Sequence, residues 1–242
     1  MNFFANQNYI AQLAIDCVIF GYQNRELKVL ISKLNFKGDF YSLPSGFILQ
    51  KEGVDEAAHR ILEERTGLSN IFLEHFKNFG QAERTNKAFL ENMIEQNRAY
   101  FGGEVTLSKE DFEWLTGRFV ALGYYALVDI NKVTPTKTYL DESLEWYNIH
   151  EIPTMMMDHK EMIEKAFESL KLNLDKNIIV LNLLPETFTM KEVQDLYETI
   201  FEETYARNNF QKKILDLNVL ERLEKKFTGA QNKAPYLYRF KK

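Results

Sequence analysis

Residues 46–68 constrain this 242-residue chain more than any other stretch. Gly46 is followed after five residues by Glu52, and after seven more by Arg60, from which ILEERTGL runs on to Leu68. Between them Val54, Ala57, Ala58, Ile61 and Leu62 recur at spacings of three and four, which predicts a helix over 54–65. Gly67 stands where a left-handed C-terminal cap would stop it. Ahead of the helix, FYSLPSGFILQKEG reads as a loop punctuated by Pro44, Gly46 and Gly53. Upstream, IAQLAIDCVIF and LKVLISKL are apolar, β-branched runs split by the turn-like GYQNRE, and they read as strands.

Further strands are predicted in IFLEHFKNFG and RFVALGYYALVDI, and LEWYNIHEIP closes the sheet region. Strands mixed with one long helix, without regular βαβ alternation, predict an α+β domain over residues 1–152. Residues 83–117 are too long for an ordinary connection. Phe89, Met93 and Ile94 predict one helix there, and Ser108 with Asp111 the start of another. DHKEMIEKAFESLKLNL supplies a connecting helix within 153–174.

Residues 175–242 follow a different plan. Thr189 and Glu192 have the Thr-x-x-Glu spacing of a capping box, with Val193, Leu196, Tyr197 and Ile200 as the inward face of its helix. EETYA breaks the chain before RNNFQKKILDL, whose Phe210, Ile214 and Leu217 are expected to turn inward. VLERLEKKFTGAQNKAPYLYRFKK then reads as two strands around a turn. Helix, turn, helix and hairpin in that order predict a winged helix-turn-helix.

Charge separates the two regions. From Thr204 to Lys242 there are ten Lys/Arg against three Asp/Glu, a net of +7 inside a chain whose overall net is −5. A basic end on an acidic body fits either a partner with phosphates or a merely solvated tail. No apolar run approaches the roughly 18 residues of a membrane span, and MNFFANQNYI lacks a basic region ahead of an apolar core. A cytoplasmic protein without membrane contact is expected. Cys17, inside an apolar run, reads as a buried small hydrophobe. His59, His75, His150 and His159 lack metal-ligand spacing, so neither metal nor cofactor is expected.

Gly46, Glu52, Arg60, Leu62, Glu64, Gly67 and Leu68 fit the Nudix box of the pyrophosphohydrolases. With LLPETFTMKEVQDLYE, RNNFQKKI and LYRF, the chain resembles the Nudix-related transcriptional regulators of the NrtR type, and most closely their AraR-like, sugar-responsive branch of Bacteroidetes. The likeness covers about residues 10–82 and 118–240, and residues 83–117 depart from it as a longer loop. It implies a Nudix-like mixed sheet with helices followed by a winged helix-turn-helix. It also implies regulation of transcription, with ADP-ribose or a pentose-type sugar as effector.

In working Nudix enzymes the box glutamates hold divalent metals, which want several oxygen ligands. Helical geometry puts positions 57, 61, 64 and 65 on one face, and here that face reads Ala57, Ile61, Glu64, Arg65. A guanidinium cannot ligate a metal. Metal-dependent hydrolysis is therefore not expected, although a hydrolase with unconventional ligation through Glu91, Glu95 and Glu104 is the alternative.

Glu52, Arg60, Glu64, Arg65, Arg84 and Arg118 are the candidate ligand-binding residues. Glu64 could instead pair with Arg60, and Arg65 could be a solvated surface arginine. At the other end, Arg207, Asn208, Gln211 and Lys212 are predicted to face outward from the second helix. There Arg suits guanine, Asn and Gln suit adenine, and Lys suits phosphate. Lys213, Lys225, Lys226, Lys233 and Arg239 would extend the backbone contacts. The expected partners are double-stranded DNA and a small-molecule effector, sugar or ADP-ribose-like, with the chain a homodimer because such readers match palindromic half-sites. A binding module whose basic tail meets RNA or protein is the third reading.

Overall fold

The computed structural model describes residues 8–84, 87–97, 108–174, 183–226 and 234–241. Its organising element is β1 (Tyr9–Gln23), fifteen residues with a continuous buried run from Ile15 to Gly21. A strand apolar at successive positions must be covered on both faces, and this one is. Ile15, Cys17 and Ile19 face one core, and Val18 and Phe20 face another.

Along one edge β1 pairs antiparallel with β2 (Glu26–Leu34) and, nearer its start, with β4 (Ser45–Leu49). Along the other it pairs in parallel with β6 (Val120–Val128), from Leu13↔Val120 to Gly21↔Val128. The full sheet has seven strands in the order β3-β2-β1-β6-β5, with β4 on β1 and β7 on β2. Here β3 is Tyr41–Ser42, β5 is Leu73–Phe79 and β7 is Asp141–Asn148. The stretch read as a loop thus contains two short strands. Their partners, Ser32 for Ser42 and Asp16 for Ser45, come from distant sequence, so local breaker residues did not decide the outcome.

Helix α1 (Val54–Thr66) covers the Ile15/Cys17/Ile19 face with Ala57, Ala58, Ile61 and Leu62, and ends at Gly67 in the left-handed region at φ 71°. Within residues 83–117, α2 (Lys87–Gln96) and α3 (Lys109–Thr116) form as predicted, and Ser108 caps α3 by accepting from the Asp111 N–H. The opposite face of the sheet is covered by α4 (His159–Leu174).

The C-terminal part is a winged helix. β8 (Phe188–Thr189) leads into α5 (Met190–Phe201), whose capping box closes through Thr189 and Glu192. α6 (Arg207–Asp216) follows, and β9 (Leu220–Lys225) with β10 (Tyr236–Phe240) completes a three-stranded sheet in the order β8-β10-β9. Phe210 and Ile214 are buried as predicted. Leu217 is not, at 41% exposed. The helix stops at Asp216, and Asn218 at φ 55° turns the chain away before Leu217 can be covered.

The two parts share one core. Val18, Phe20 and Leu27 of the large sheet, Met162, Ile163 and Ala166 of α4, and Val193, Leu196 and Ile200 of α5 all belong to one buried cluster. Polar contacts frame the seam. At the β1–β2 tip, Asn24 and Arg25 have φ 54° and 62°, the signature of a type I′ hairpin turn. From that tip Arg25 Nη2 donates to Asp195 Oδ1 at 2.8 Å, and its carbonyl accepts from Thr199 Oγ1 at 3.3 Å.

Both tryptophans, Trp114 and Trp146, lie in the first part, whereas Leu196 lies in the second and is fully buried. Leu196→Ala should cost about 2–5 kcal/mol and lower the urea midpoint read by tryptophan fluorescence as much as that read by far-UV circular dichroism. A fluorescence midpoint left unmoved would mean that the core is not shared.

Candidate functional site

The outer side of the box is held by a single guanidinium. Arg60 donates from Nε to Glu52 Oε2 at 3.0 Å and from Nη2 to Glu52 Oε1 at 2.6 Å. The same Nη2 reaches the Phe47 carbonyl at 2.9 Å, and Nη1 reaches Glu64 Oε1 at 3.2 Å. Glu52 Oε1 also accepts from the Leu49 N–H at 2.7 Å. Arg60 therefore ties the end of β4 and its loop to α1, and the hydrogen bond from it holds the Glu52 carboxyl below its ordinary range. Glu64 remains exposed, with its carboxylate turned to Arg60.

The inner side is closed. Ile61 occupies the space in front of Gly46, where an added Cβ would lie 2.7 Å from Ile61 side-chain carbons. One turn on, Arg65 is 5% exposed and pairs with Asp141, Nη1 to Oδ2 at 2.6 Å. Asp141 also accepts from Ser32 Oγ, from the Thr138 N–H at 2.6 Å and from Thr138 Oγ1 at 2.7 Å. Burial pushes the Asp141 carboxyl up, but the hydrogen bonds from Arg65 and Ser32 outweigh it and leave it below the ordinary value. Cys17 lies within electrostatic reach of this arginine, and burial pushes its thiol up to about 12. Sequence placed Arg65 beside a ligand or in solvent; the structure places it inside. Asp141, its partner 76 positions on, carries no local signal in the sequence.

Arg84 also faces inward. It holds Asp158 through Nε at 2.7 Å and Nη2 at 3.1 Å, reaches the Phe119 carbonyl at 3.2 Å, and comes within 3.7 Å of Asp16. His159 completes this buried group: its Nδ1 accepts the Leu43 N–H at 2.9 Å, and its Nε2 lies 4.0 Å from Asp16. Burial, above all, raises Asp16 and lowers His159 from their ordinary values. Sequence reasoning missed Asp16 together with the adjacent Asp158 and His159, since β1 and the start of α4 are far apart in the chain. Arg118 stays at the surface, with Nη2 on the Gly80 carbonyl at 2.7 Å. Of the six candidates, then, Glu52, Arg60 and Glu64 form one cluster, while Arg65, Arg84 and Arg118 each stand apart.

Helices α2 and α3 lie against this region. Trp114 of α3 packs edge-on to Phe47 at 4.8 Å, and the Trp114 carbonyl accepts from Gln12 Nε2 at 3.2 Å. Phe89 of α2 meets Phe40 at 5.4 Å, and Asn97 bonds both the N–H and the carbonyl of Lys37. Of the alternative metal carboxylates, Glu91 and Glu95 are exposed and Glu104 lies outside the described residues. Among the described residues no group of three His, Cys, Asp or Glu has the geometry to hold a metal ion.

On the winged helix, Arg207, Asn208 and Lys212 are exposed along α6 and Gln211 is half-buried; Lys213 is exposed as well. Lys225 lies over the Tyr236 ring at 5.4 Å, and Lys226 is 3.5 Å from Glu192. Arg239 sits at the opposite end of the hairpin from Lys225, bonded to Glu221 at 2.8 Å. Lys233 and most of the predicted wing lie outside the described residues. No helix among the described residues is long and apolar enough to cross a membrane.

A Nudix-like sheet whose box helix is pinned by ion pairs is joined through a shared core to a C-terminal winged helix. Comparison with known proteins shows what this architecture is similar to. Residues 180–240 match the NrtR DNA-binding winged helix domain. The ADPR responsive transcriptional repressor NtrR of Acinetobacter baylyi is 23% identical over 256 aligned residues, covering 99% of this chain and 90% of the relative. Shewanella oneidensis NrtR complexed with a 27mer DNA has the same fold, with a TM-score of 0.73 at 21% identity over 95% of this chain and 94% of that one. A MutT/nudix family protein from Enterococcus faecalis gives 0.67 at 18% identity, over 96% and 87%. In architecture the chain is of the NrtR type.

Two outcomes test this site. Arg65→Ala should cost about 3–5 kcal/mol by leaving Asp141 buried and unpaired, and the double substitution Arg65→Met with Asp141→Leu should restore most of it in urea melts. A single substitution without cost would remove the pair from any structural role. For His159, the folded protein disfavours the charged ring, so its contribution is complete above the ordinary 6.5 and is lost as pH falls below that value. The urea midpoint of wild type should thus decline from pH 7 to 5.5 relative to His159→Gln; parallel profiles would contradict it.

Proposed function

We propose that this protein is a ligand-controlled, DNA-binding transcriptional regulator. In this reading residues 1–152 sense a small molecule without hydrolysing it, 153–174 connect, and 175–242 bind operator DNA, with two chains acting as a homodimer. The observation that carries it is the inner box face. Where clustered carboxylates would be needed to hold metal, Ile61 and the Arg65–Asp141 pair fill the space. A chain that retains the box scaffold without its metal oxygens, and joins it to a winged helix, is suited to recognition rather than turnover.

For the effector, an ADP-ribose-like or sugar-type molecule is the reading. The name of the Acinetobacter baylyi relative supports the first. Glu64, beside the Glu52–Arg60 staple, and Arg118, apart from it on the Gly80 carbonyl, are proposed as ligand contacts because both remain open to solvent. Arg65 and Arg84 act from behind, since both guanidiniums are buried against carboxylates. At the DNA end, Arg207, Asn208 and Gln211 are proposed to read bases, and Lys212, Lys213, Lys225 and Lys226 to meet phosphates. Lys233 and Arg239 are proposed as outlying contributors of positive charge.

Two measurements check the proposal. ADP-ribose with magnesium should be turned over no faster than background; magnesium-dependent turnover abolished by Glu64→Gln would make the protein a hydrolase. Arg207→Ala should cost about 1–3 kcal/mol on a preferred duplex and much less on scrambled DNA. Lys225→Ala should weaken both duplexes and lower the salt slope by about one. Equal losses on both duplexes for Arg207→Ala would show that α6 does not read bases.

A further inference from the structure

The seam between the two parts contains a groove of about 420 Å³ that neither the box nor α6 accounts for. That volume falls in the range of about 300–1,000 Å³ typical of small-molecule sites. One wall comes from the loop after α1 and the end of β6, the other from residues 184–186 and the end of β10. Phe72, Pro185 and Phe240 give it an apolar floor. Three cations stand around it: Lys132, Arg239 and Lys241.

Cations outnumber acids in the lining by three to two, with Glu221 just beyond it on Arg239. Lys241 Nζ donates to the neutral Asn218 Oδ1 at 2.5 Å and lies within electrostatic reach of Glu221. Lys132 is exposed and meets no carboxylate within ion-pair distance among the described residues. Arg239 uses Nε on Glu221, leaving its terminal nitrogens outside that bond. Of the acids in the lining, Asp129 is already turned to the Asn131 backbone and side-chain N–H groups at 3.1 and 3.0 Å, and Glu186 opposes the cations. At this end of the hairpin these cations are also remote from Lys225 and Lys226, where phosphate contacts of the DNA end are proposed.

We propose that this groove is a second small-molecule site, distinct from the box, that takes an organic phosphate with a flat ring, of the nucleoside monophosphate class. The ring lies on the Phe72 and Phe240 side, and the phosphate meets Lys132 and Lys241, with Arg239 able to add to it. Because the walls belong to both parts, such a ligand binds only when they are docked against each other, and it stabilises that arrangement in proportion to its occupancy.

The test is calorimetric titration of the full chain with AMP, adenosine and inorganic phosphate, repeated on Lys132→Glu, whose exposed position does not threaten folding. AMP should bind saturably to wild type, with adenosine and phosphate each at least tenfold weaker. Lys132→Glu should weaken AMP at least tenfold, and saturating ADP-ribose should leave AMP affinity unchanged. Absence of saturable AMP binding, equal affinity in Lys132→Glu, or displacement of AMP by ADP-ribose would each overturn the proposal. None of these outcomes bears on the duplex titrations of Arg207→Ala, so the two readings fail separately.

Discussion

A strand that is apolar on both faces obliges the chain to build two cores, and β1 is such a strand. From Ile15 to Phe20 its side chains alternate between the α1 core and the α4 core without a solvent face. Covering the first side requires the box helix. Covering the second requires α4 and, beyond it, α5 of the winged helix. The winged helix is accordingly part of the packing that keeps the large sheet dry, and its placement follows from hydrophobic burial more than from the exposed ion pairs at the seam. Arg25, with its side chain 65% exposed, adds direction at little energy.

The box keeps the outer half of the Nudix pattern and departs from it on the inner half. Its outer residues keep their structural duties: Glu52 receives the Leu49 N–H, and Arg60 staples loop to helix. Its inner residues, Ile61 and Arg65, differ from that pattern in charge and character. A fixed cation at 65, sitting in the last turn where the helix dipole favours positive charge, is neutralised by Asp141 from β7. Buried pairs of this kind rarely add net stability over apolar packing. What the pair does secure is geometry, because Asp141 also gathers Ser32 and Thr138, so α1, β2 and the approach to β7 share a single polar node.

Much of this was legible in the sequence, for stated reasons. The helix read over 54–65, its Gly67 stop, the capping box at Thr189 and Glu192, and the inward stripe from Val193 to Ile200 rest on periodicity and local chemistry, which travel with the sequence. The site was less legible. Glu52, Arg60 and Glu64 came together because eight and four residues of spacing on a loop and helix bring them together. Asp141 for Arg65, and Asp158 with Asp16 for Arg84, depend on how distant strands and α4 meet, and no local pattern announces that. Leu217 failed for the opposite reason: helical arithmetic was extended one residue past the point where Asn218 turns the chain.

The core shared by β1, α4 and α5 has a consequence for how such a protein can change over generations. A gene segment encoding the winged helix is not a cassette that recombination can exchange freely. Removing it would strip Val18, Phe20 and Leu27 of part of their cover, and a foreign replacement would have to present the same apolar stripe and an acid opposite the β1–β2 tip. New specificities on this framework therefore arise more readily by substitution on the exposed side of α6, or in α2 and α3 beside the box, than by swapping whole modules.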